Sequence, residues 1–335
     1  MVCHSFAPLV VLVAVLFFLQ AQGSPVVFQK RGICATTDPD PSFLDALQNV
    51  RSDETRPDEV GSEARHAPIE IGTWFHVVSS KAQSSEVSDD MINSQPKPVP
   101  EDWLGLRRAK EVPQLSILKD AYRDAGITYR LQGVTRSVND AWSRDEDDIG
   151  MKTALRKGSY RTLNVYFQTN LQAAPGQSGR AHVDARAAGL ADDLSASVLG
   201  FCTLPDPKVN ASSPRGDYIK DGCNVLAKTL PGGSLDLYNR GGTTIHEIGH
   251  WNGLLHTFQG ESCDPSNPGD YISDTPQQSS PTSGCPARRN SCPDLPGDDL
   301  VHDFMDYSSD VCYDSFTPGQ IKRMRNMWAS MREGK

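Results

Sequence analysis

The chain has 335 residues, 22% of them charged, and a formal net charge of −9 with no Lys/Arg-rich run. That balance argues against nucleic acid or an anionic membrane as a partner, and the length suits one large domain or two small ones. The first 23 residues carry none of the charge. Residues 8–19 form an apolar run too short to span a bilayer, and Ala21-Gln22-Gly23 supplies the small residues of a cleavage site. Residues 1–23 are therefore expected to be a signal peptide and the chain to be secreted; the alternative is an uncleaved anchor or a buried strand. Cys34, Cys202, Cys223, Cys263, Cys285, Cys292 and Cys312 follow the leader, an odd number that leaves one thiol over if the rest pair in an oxidising compartment. Asn210-Ala211-Ser212 is the only glycosylation sequon.

In chain order, residues 24–65 are polar and short of aromatic residues, with a dibasic Lys30-Arg31 and little apolar periodicity. They read as a pro-segment or a loosely packed arm, so regular structure is expected to begin near Ile69. Ile69, Ile71, Thr73, Phe75 and Val77 alternate with Glu70, Gly72, Trp74 and His76, the period of a strand. Pro96, Pro98, Pro100 and Pro113 forbid a continuous helix across 96–113, after which Leu115, Leu118, Tyr122 and Ala125 recur at helical spacing up to a stop at Gly126. Strands are expected at 127–131 and 163–169, with a helix at 151–157 between them. The run Asp145-Glu146-Asp147-Asp148 reads as a solvated loop, with calcium binding as its alternative. Residues 263–313 are rich in Pro, Gly, Ser and Asp and hold four cysteines, so staples must replace regular structure there. Thr317-Pro318 is an N-cap followed by proline at the first helical position, and Ile321, Met324, Met327, Trp328 and Met331 make the apolar stripe of a final helix.

The segment His246-Glu247-Ile248-Gly249-His250-Trp251-Asn252-Gly253-Leu254-Leu255-His256 reads H-E-x-x-H-x-x-G-x-x-H. Histidines four apart lie on one helical face about a turn from each other, where two imidazoles can share a zinc ion. Position 256 would point elsewhere on a continuing helix. Gly253 can enter the left-handed conformation, end the helix and bring His256 back. Three protein ligands leave a fourth position for water, the arrangement of a catalytic rather than structural site. Glu247 lies beside it as a general base, able to pass the proton to a leaving amine. A bare H-E-x-x-H is common; the five fixed positions here have a chance expectation on the order of 10⁻⁴. His76, His182 and His302 read as structural histidines.

This extended motif resembles that of the metzincin clan, whose second hallmark is a Met-containing turn; Asp303-Phe304-Met305-Asp306-Tyr307 looks like that turn. The wording is most similar to the pappalysin family and, within it, to the secreted extracellular metalloproteases of fungi. Gly269-Asp270-Tyr271-Ile272-Ser273-Asp274-Thr275-Pro276 and Phe316-Thr317-Pro318-Gly319-Gln320 support this. The resemblance runs from about Ile69 to the C-terminus and is most specific over 231–328. It implies an α+β fold with a mixed sheet and helices in an upper subdomain, above a loop-rich, disulfide-stapled lower one. It further implies a catalytic domain at 66–335 behind a pro-segment at 24–65, and a zinc endopeptidase acting on extracellular proteins. Met305 would floor the metal site and Tyr307 would stabilise the oxyanion. Disulfides Cys263–Cys292 and Cys285–Cys312 are implied, leaving Cys202 to pair with Cys223. Cys34, in Arg31-Gly32-Ile33-Cys34, resembles a zymogen cysteine that ligates the zinc; its alternative is a free or intermolecularly paired thiol. Calcium is implied at Asp270, Asp274 and Thr275.

Two departures stand out. Asn commonly holds the place of Asp303 in the family, and residues 96–114 form a Pro-rich insertion between what look like two halves of one family helix. A non-catalytic binding or inhibitory module on a metzincin scaffold is the competing function, opposed by the presence of Glu247, the three histidines and Tyr307.

Overall fold

A computed structural model of the protein describes residues 34–54, 67–93, 114–172 and 198–335. The leader, Lys30-Arg31, His182 and nearly all of the Pro-rich insertion lie outside the described residues. The first element is helix α1 (Pro41–Glu54), followed by β1 (Ile69–Ser79), α2 (Asp89–Asn93), α3 (Gln114–Ala121), β2 (Ile127–Val138), α4 (Asp140–Ser143), α5 (Asp148–Leu155) and β3 (Leu163–Gln168). Then come β4 (Gly200–Cys202), β5 (Cys223–Leu226), α6 (Gly242–Trp251) and α7 (Pro318–Met327), the last continuing as a π-turn, Trp328–Arg332.

The five strands form one mixed sheet in the order β2-β1-β3-β5-β4, parallel except for β4, which pairs antiparallel with β5 at the edge. β3 is buried along its whole length, as a central strand of a sheet covered on both faces must be. One face packs on α3 and α6 through Phe75, Val165, Leu118, Tyr122, Ile245 and Ile248, and this core continues into Met305, Phe316 and Met324 of the C-terminal half. On the other face Val78 and Tyr166 meet Met151 of α5 and Trp142 of α4. α7 begins as expected: Thr317 and Gln320 form a capping box and Pro318 occupies the first turn.

Two readings need correction. Regular structure does not begin at Ile69, because α1 precedes it and buries Phe43, Leu47 and Val50 against Met327 and Met331. Those three residues recur four and three apart, a helical period that the polar composition around them obscured. The acidic run is a solvated loop only in part: Glu146 and Asp147 are exposed in a turn, but Asp147 caps α5 through the Gly150 N–H, and Asp148 begins that helix and pairs with the buried Lys152. Asp145 beside it is pushed up to about 7 by burial and by Asp148. Elsewhere β2 runs on to Val138 where only 127–131 was expected, and α5 starts at Asp148 rather than 151.

Candidate active site and metal centre

α6 is buried from end to end, and its N-terminus is fixed by Asp310, whose Oδ2 accepts from the N–H groups of Arg240 (2.7 Å) and Gly242 (3.2 Å). His246 and His250 project from one face. Gly253, at φ +92°, ends the helix, and the chain returns so that His256 meets them. The His250 Nε2 lies 3.2 Å from that of His246 and 3.1 Å from that of His256. His246 Nδ1 is 2.7 Å from the Phe304 carbonyl and His250 Nδ1 is 2.9 Å from the Leu254 carbonyl. A carbonyl only accepts, so both Nδ1 atoms carry the proton and both Nε2 atoms present lone pairs. Bare nitrogens that face one another at this range repel unless a cation lies among them. Bonds of about 2.0–2.1 Å in a tetrahedron would space the nitrogens at about 3.3–3.4 Å, close to what is seen. The donor set therefore fits a zinc-like ion.

Cys34 joins this group, its Sγ within 4.8 Å of the ligand atoms of all three histidines. It is the free cysteine among the described residues. Cys34 bridges Gly200 of β4 in parallel, and the Ala35 N–H donates to the Gly200 carbonyl at 2.9 Å. The thiol donates to Glu247 Oε2 at 3.3 Å, as does the Thr36 hydroxyl, also at 3.3 Å. Thr36 Oγ1 also accepts from the Cys202 N–H (3.0 Å), which ties it to the sheet edge. Burial and the Glu247 carboxylate push the Cys34 thiol up; a divalent cation beside a thiol acts in the opposite sense. Burial pushes Glu247 up to about 8 and drives all three histidines down, which keeps the imidazoles neutral as a metal ligand requires.

Below the histidines, Met305 is fully buried and fits against Gly249, where any Cβ would collide with its sulfur. Asp303 Oδ1 accepts from the Met305 N–H at 2.7 Å and from Gln320 Nε2 at 3.0 Å. The Tyr307 ring lies edge-on to His256 (5.0 Å) and Phe258 (4.8 Å), and its hydroxyl donates to the Cys34 carbonyl at 3.3 Å. One helix, one glycine turn, one Met-turn and a sheet edge thus converge on a single point.

A sequence model of the family described as Pregnancy-associated plasma protein-A matches residues 234–329, the stretch that holds α6, the Met-containing turn and α7. An extracellular metalloprotease of Aspergillus oryzae is 55% identical over 98% of this chain and 99% of its own length. The chain belongs to the pappalysin family of metalloproteases. It is a zinc metalloendopeptidase, and protein or peptide is its substrate class. An extracellular metalloprotease of Aspergillus fumigatus is 55% identical over 92% of this chain and 91% of its own length, and one of Coccidioides posadasii is 39% identical over 91% and 92%. Mature mirolysin of Tannerella forsythia in complex with a cleaved peptide has the same fold, with a TM-score of 0.54 at 22% identity over 80% of this chain and 96% of that one.

In this metalloprotease the remaining residues singled out in the sequence fall as follows. Cys202–Cys223, Cys263–Cys292 and Cys285–Cys312 are bonded. Asp270 is buried, with Oδ1 on the Ile272 N–H at 2.9 Å; burial pushes it up to about 7, while the Ile272 N–H, the Arg323 charge and the Thr275 hydroxyl beside it act in the opposite sense. Asp274 is turned to the start of α7, where it accepts from Thr317 Oγ1 (2.9 Å) and the Gly319 N–H (2.8 Å). Asn210 is exposed in a turn. His76 sits between Thr135 and Asn164 and His302 on the Cys312 carbonyl, away from the metal donors. Thr36, Gly200 and Phe258 reach the site without having been singled out. Thr36 is two residues from Cys34, but only the pairing with β4 brings it to Glu247. No helix is long and apolar enough to cross a membrane among the described residues.

Proposed function

We propose that the chain is a secreted precursor of a zinc endopeptidase that cleaves extracellular proteins. In this reading residues 1–23 are the leader, 24–65 the inhibitory segment and 66–335 the catalytic domain. The convergence of three imidazole Nε2 atoms and the Cys34 Sγ beside Glu247 carries it. His246, His250 and His256 would hold the zinc, which supplies Lewis acidity and lowers the pKa of a water toward about 7. Glu247 removes a proton from the attacking water and returns it to the leaving amine. The Tyr307 hydroxyl turns from the Cys34 carbonyl to the developing oxyanion, and the exposed backbone of β4 pairs with the substrate once residues 34–36 leave. Cys34 occupies the water's position until then. The leader and the names of the fungal relatives support secretion; nothing favours the non-catalytic module. A calcium ion is proposed at Asp270 and Thr275 with Asp274 nearby, because two carboxylates and a hydroxyl oxygen gather there around the buried Asp270.

The Glu247→Gln chain tests the mechanism. Zinc content should stay at one per chain while hydrolysis of a casein or peptide substrate by the processed enzyme falls at least a hundredfold. Wild-type turnover in that variant would remove Glu247 as base. For calcium, added Ca²⁺ should raise the melting temperature of the wild type and not of Asp270→Asn; an equal rise in both would exclude the site.

A further inference from the structure

The segment ahead of Ile69 touches the protease in two separate places. One is the latch, where Cys34 packs with Leu199, Phe258 and Tyr307 and Thr36 bonds to Glu247 and the Cys202 N–H. The other is α1, which starts where Asp40 Oδ1 accepts the Phe43 N–H at 2.9 Å. α1 lays Phe43, Leu47 and Val50 on a face made by Leu255, Met327 and Met331. Leu44 and Ala46 border the contact, while Asp45, Gln48 and Asn49 point to solvent. The two contacts belong to different apolar clusters, so neither depends sterically on the other.

The face under α1 is continuous with the metal site. Leu255 immediately precedes His256, and Met327 closes over Gly253, whose left-handed turn brings His256 to the metal. If α1 is lifted away, Leu255, Met327 and Met331 form one apolar patch. Its shape suits a helix with large apolar residues at i, i+4 and i+7.

We propose that this patch is a docking surface for an amphipathic helix, that its occupant is α1 of the chain's own N-terminal segment, and that it keeps the segment bound when the connection to β1 is cut. Held at the patch, the thiol faces the site at a high effective concentration, so the cut segment inhibits as a two-point ligand rather than through one metal bond. Only the effect on activity rests on Cys34 being the inhibitory ligand; helix docking does not.

The test uses the full-length chain and a fluorescent peptide of residues 40–54, which contains no cysteine. The Leu47→Asp chain, its own helix dislodged, should bind the peptide saturably, and the wild-type chain, its patch filled, at least tenfold more weakly. Phe43→Ala serves as a milder dislodging variant if Leu47→Asp unfolds by circular dichroism, and Gln48→Asp, on the solvent side, should behave as wild type. A peptide carrying Leu47→Asp should not bind. Equal binding to wild-type and dislodged chains, or none to folded dislodged chains, overturns the proposal. In the activity arm, peptide 34–54 should inhibit the processed enzyme, freed of its own segment, at least tenfold better than the same peptide with Leu47→Asp; equal potency overturns the two-point mode. Latency of a Cys34→Ala chain would defeat the thiol reading alone and leave the binding result standing.

Discussion

Asp303 gives the Met-turn of this chain a carboxylate where the resemblance leads one to expect an amide. Its Oδ1 does what an amide oxygen would do, accepting from Met305 and Gln320. The difference is ionisation. Burial pushes Asp303 up to about 8, and the carboxylates of Asp270 and Asp306 act in the same sense. An unfolded Asp titrates near 4. Between those values the folded chain keeps a proton that the unfolded chain has released, so the contribution of Asp303 to stability is full below about 4 and is lost as pH rises toward 8. Asp303→Asn keeps the acceptor and removes the titration. Relative to wild type, the variant should gain steadily as pH rises from 4 to 8, by about 1–3 kcal/mol between pH 5 and pH 9 in calcium-free urea unfolding; parallel stability curves would refute this. At this scale the sequence was most legible where chemistry is local. The spacing of His246, His250 and His256 around Gly253 needs only one helix and one turn. Thr36 and Gly200 were illegible because strand register, not sequence proximity, sets them beside Glu247.

Elements were legible in proportion to the regularity of their patterns. β1 alternates and α7 carries its own cap, so both could be read directly. α1 was hidden because three apolar residues in a polar segment signal a helix only when a partner face exists, and that face comes from residues more than 200 positions later. The π-turn after α7 was equally hidden, yet it locks the metal helix. Arg332 is buried with its guanidinium 3.6 Å from the Trp251 ring centroid. It donates to the Trp251 carbonyl (3.2 Å), the Tyr160 carbonyl (3.0 Å) and Asp221 Oδ1 (2.9 Å). Asp221 also accepts from Arg156 and Trp251 Nε1. Burial alone would push Asp221 up, but Arg332 and Arg156 hold it below the ordinary carboxylate range. Arg332→Leu leaves that carboxylate short of a partner and two carbonyls without donors, so it should cost about 3–5 kcal/mol. Arg332→Lys, lacking the planar fork, should recover only part of this. A shift in urea midpoint equivalent to less than about 1 kcal/mol would show that Arg156 suffices.

Across the whole molecule, one apolar core runs from the sheet through α6 into the Met-turn and α7, so the two halves that line the site are not independently packed. The metal donors sit where those halves meet: His246 hangs from the Phe304 carbonyl of the lower half, and His256 stacks on Phe258 with ring centroids 4.7 Å apart. Because His246 and His250 spend their Nδ1 protons on carbonyls, their Nε2 lone pairs oppose each other unless a cation lies between them. Protonation cannot relieve this cheaply, since burial drives all three histidines down. An ion bound by the folded chain alone stabilises it by mass action, about 4 kcal/mol when free metal exceeds its dissociation constant a thousandfold. Removing the ion should therefore loosen both halves together as well as abolish hydrolysis. 1,10-Phenanthroline, which takes zinc and leaves calcium, should lower the melting temperature of the processed enzyme in one cooperative transition, and activity should vanish in parallel. Zinc should restore both, and calcium neither. Loss of activity with an unmoved melting curve would mean that the donors are held in place by the protein alone, against the repulsion of their lone pairs.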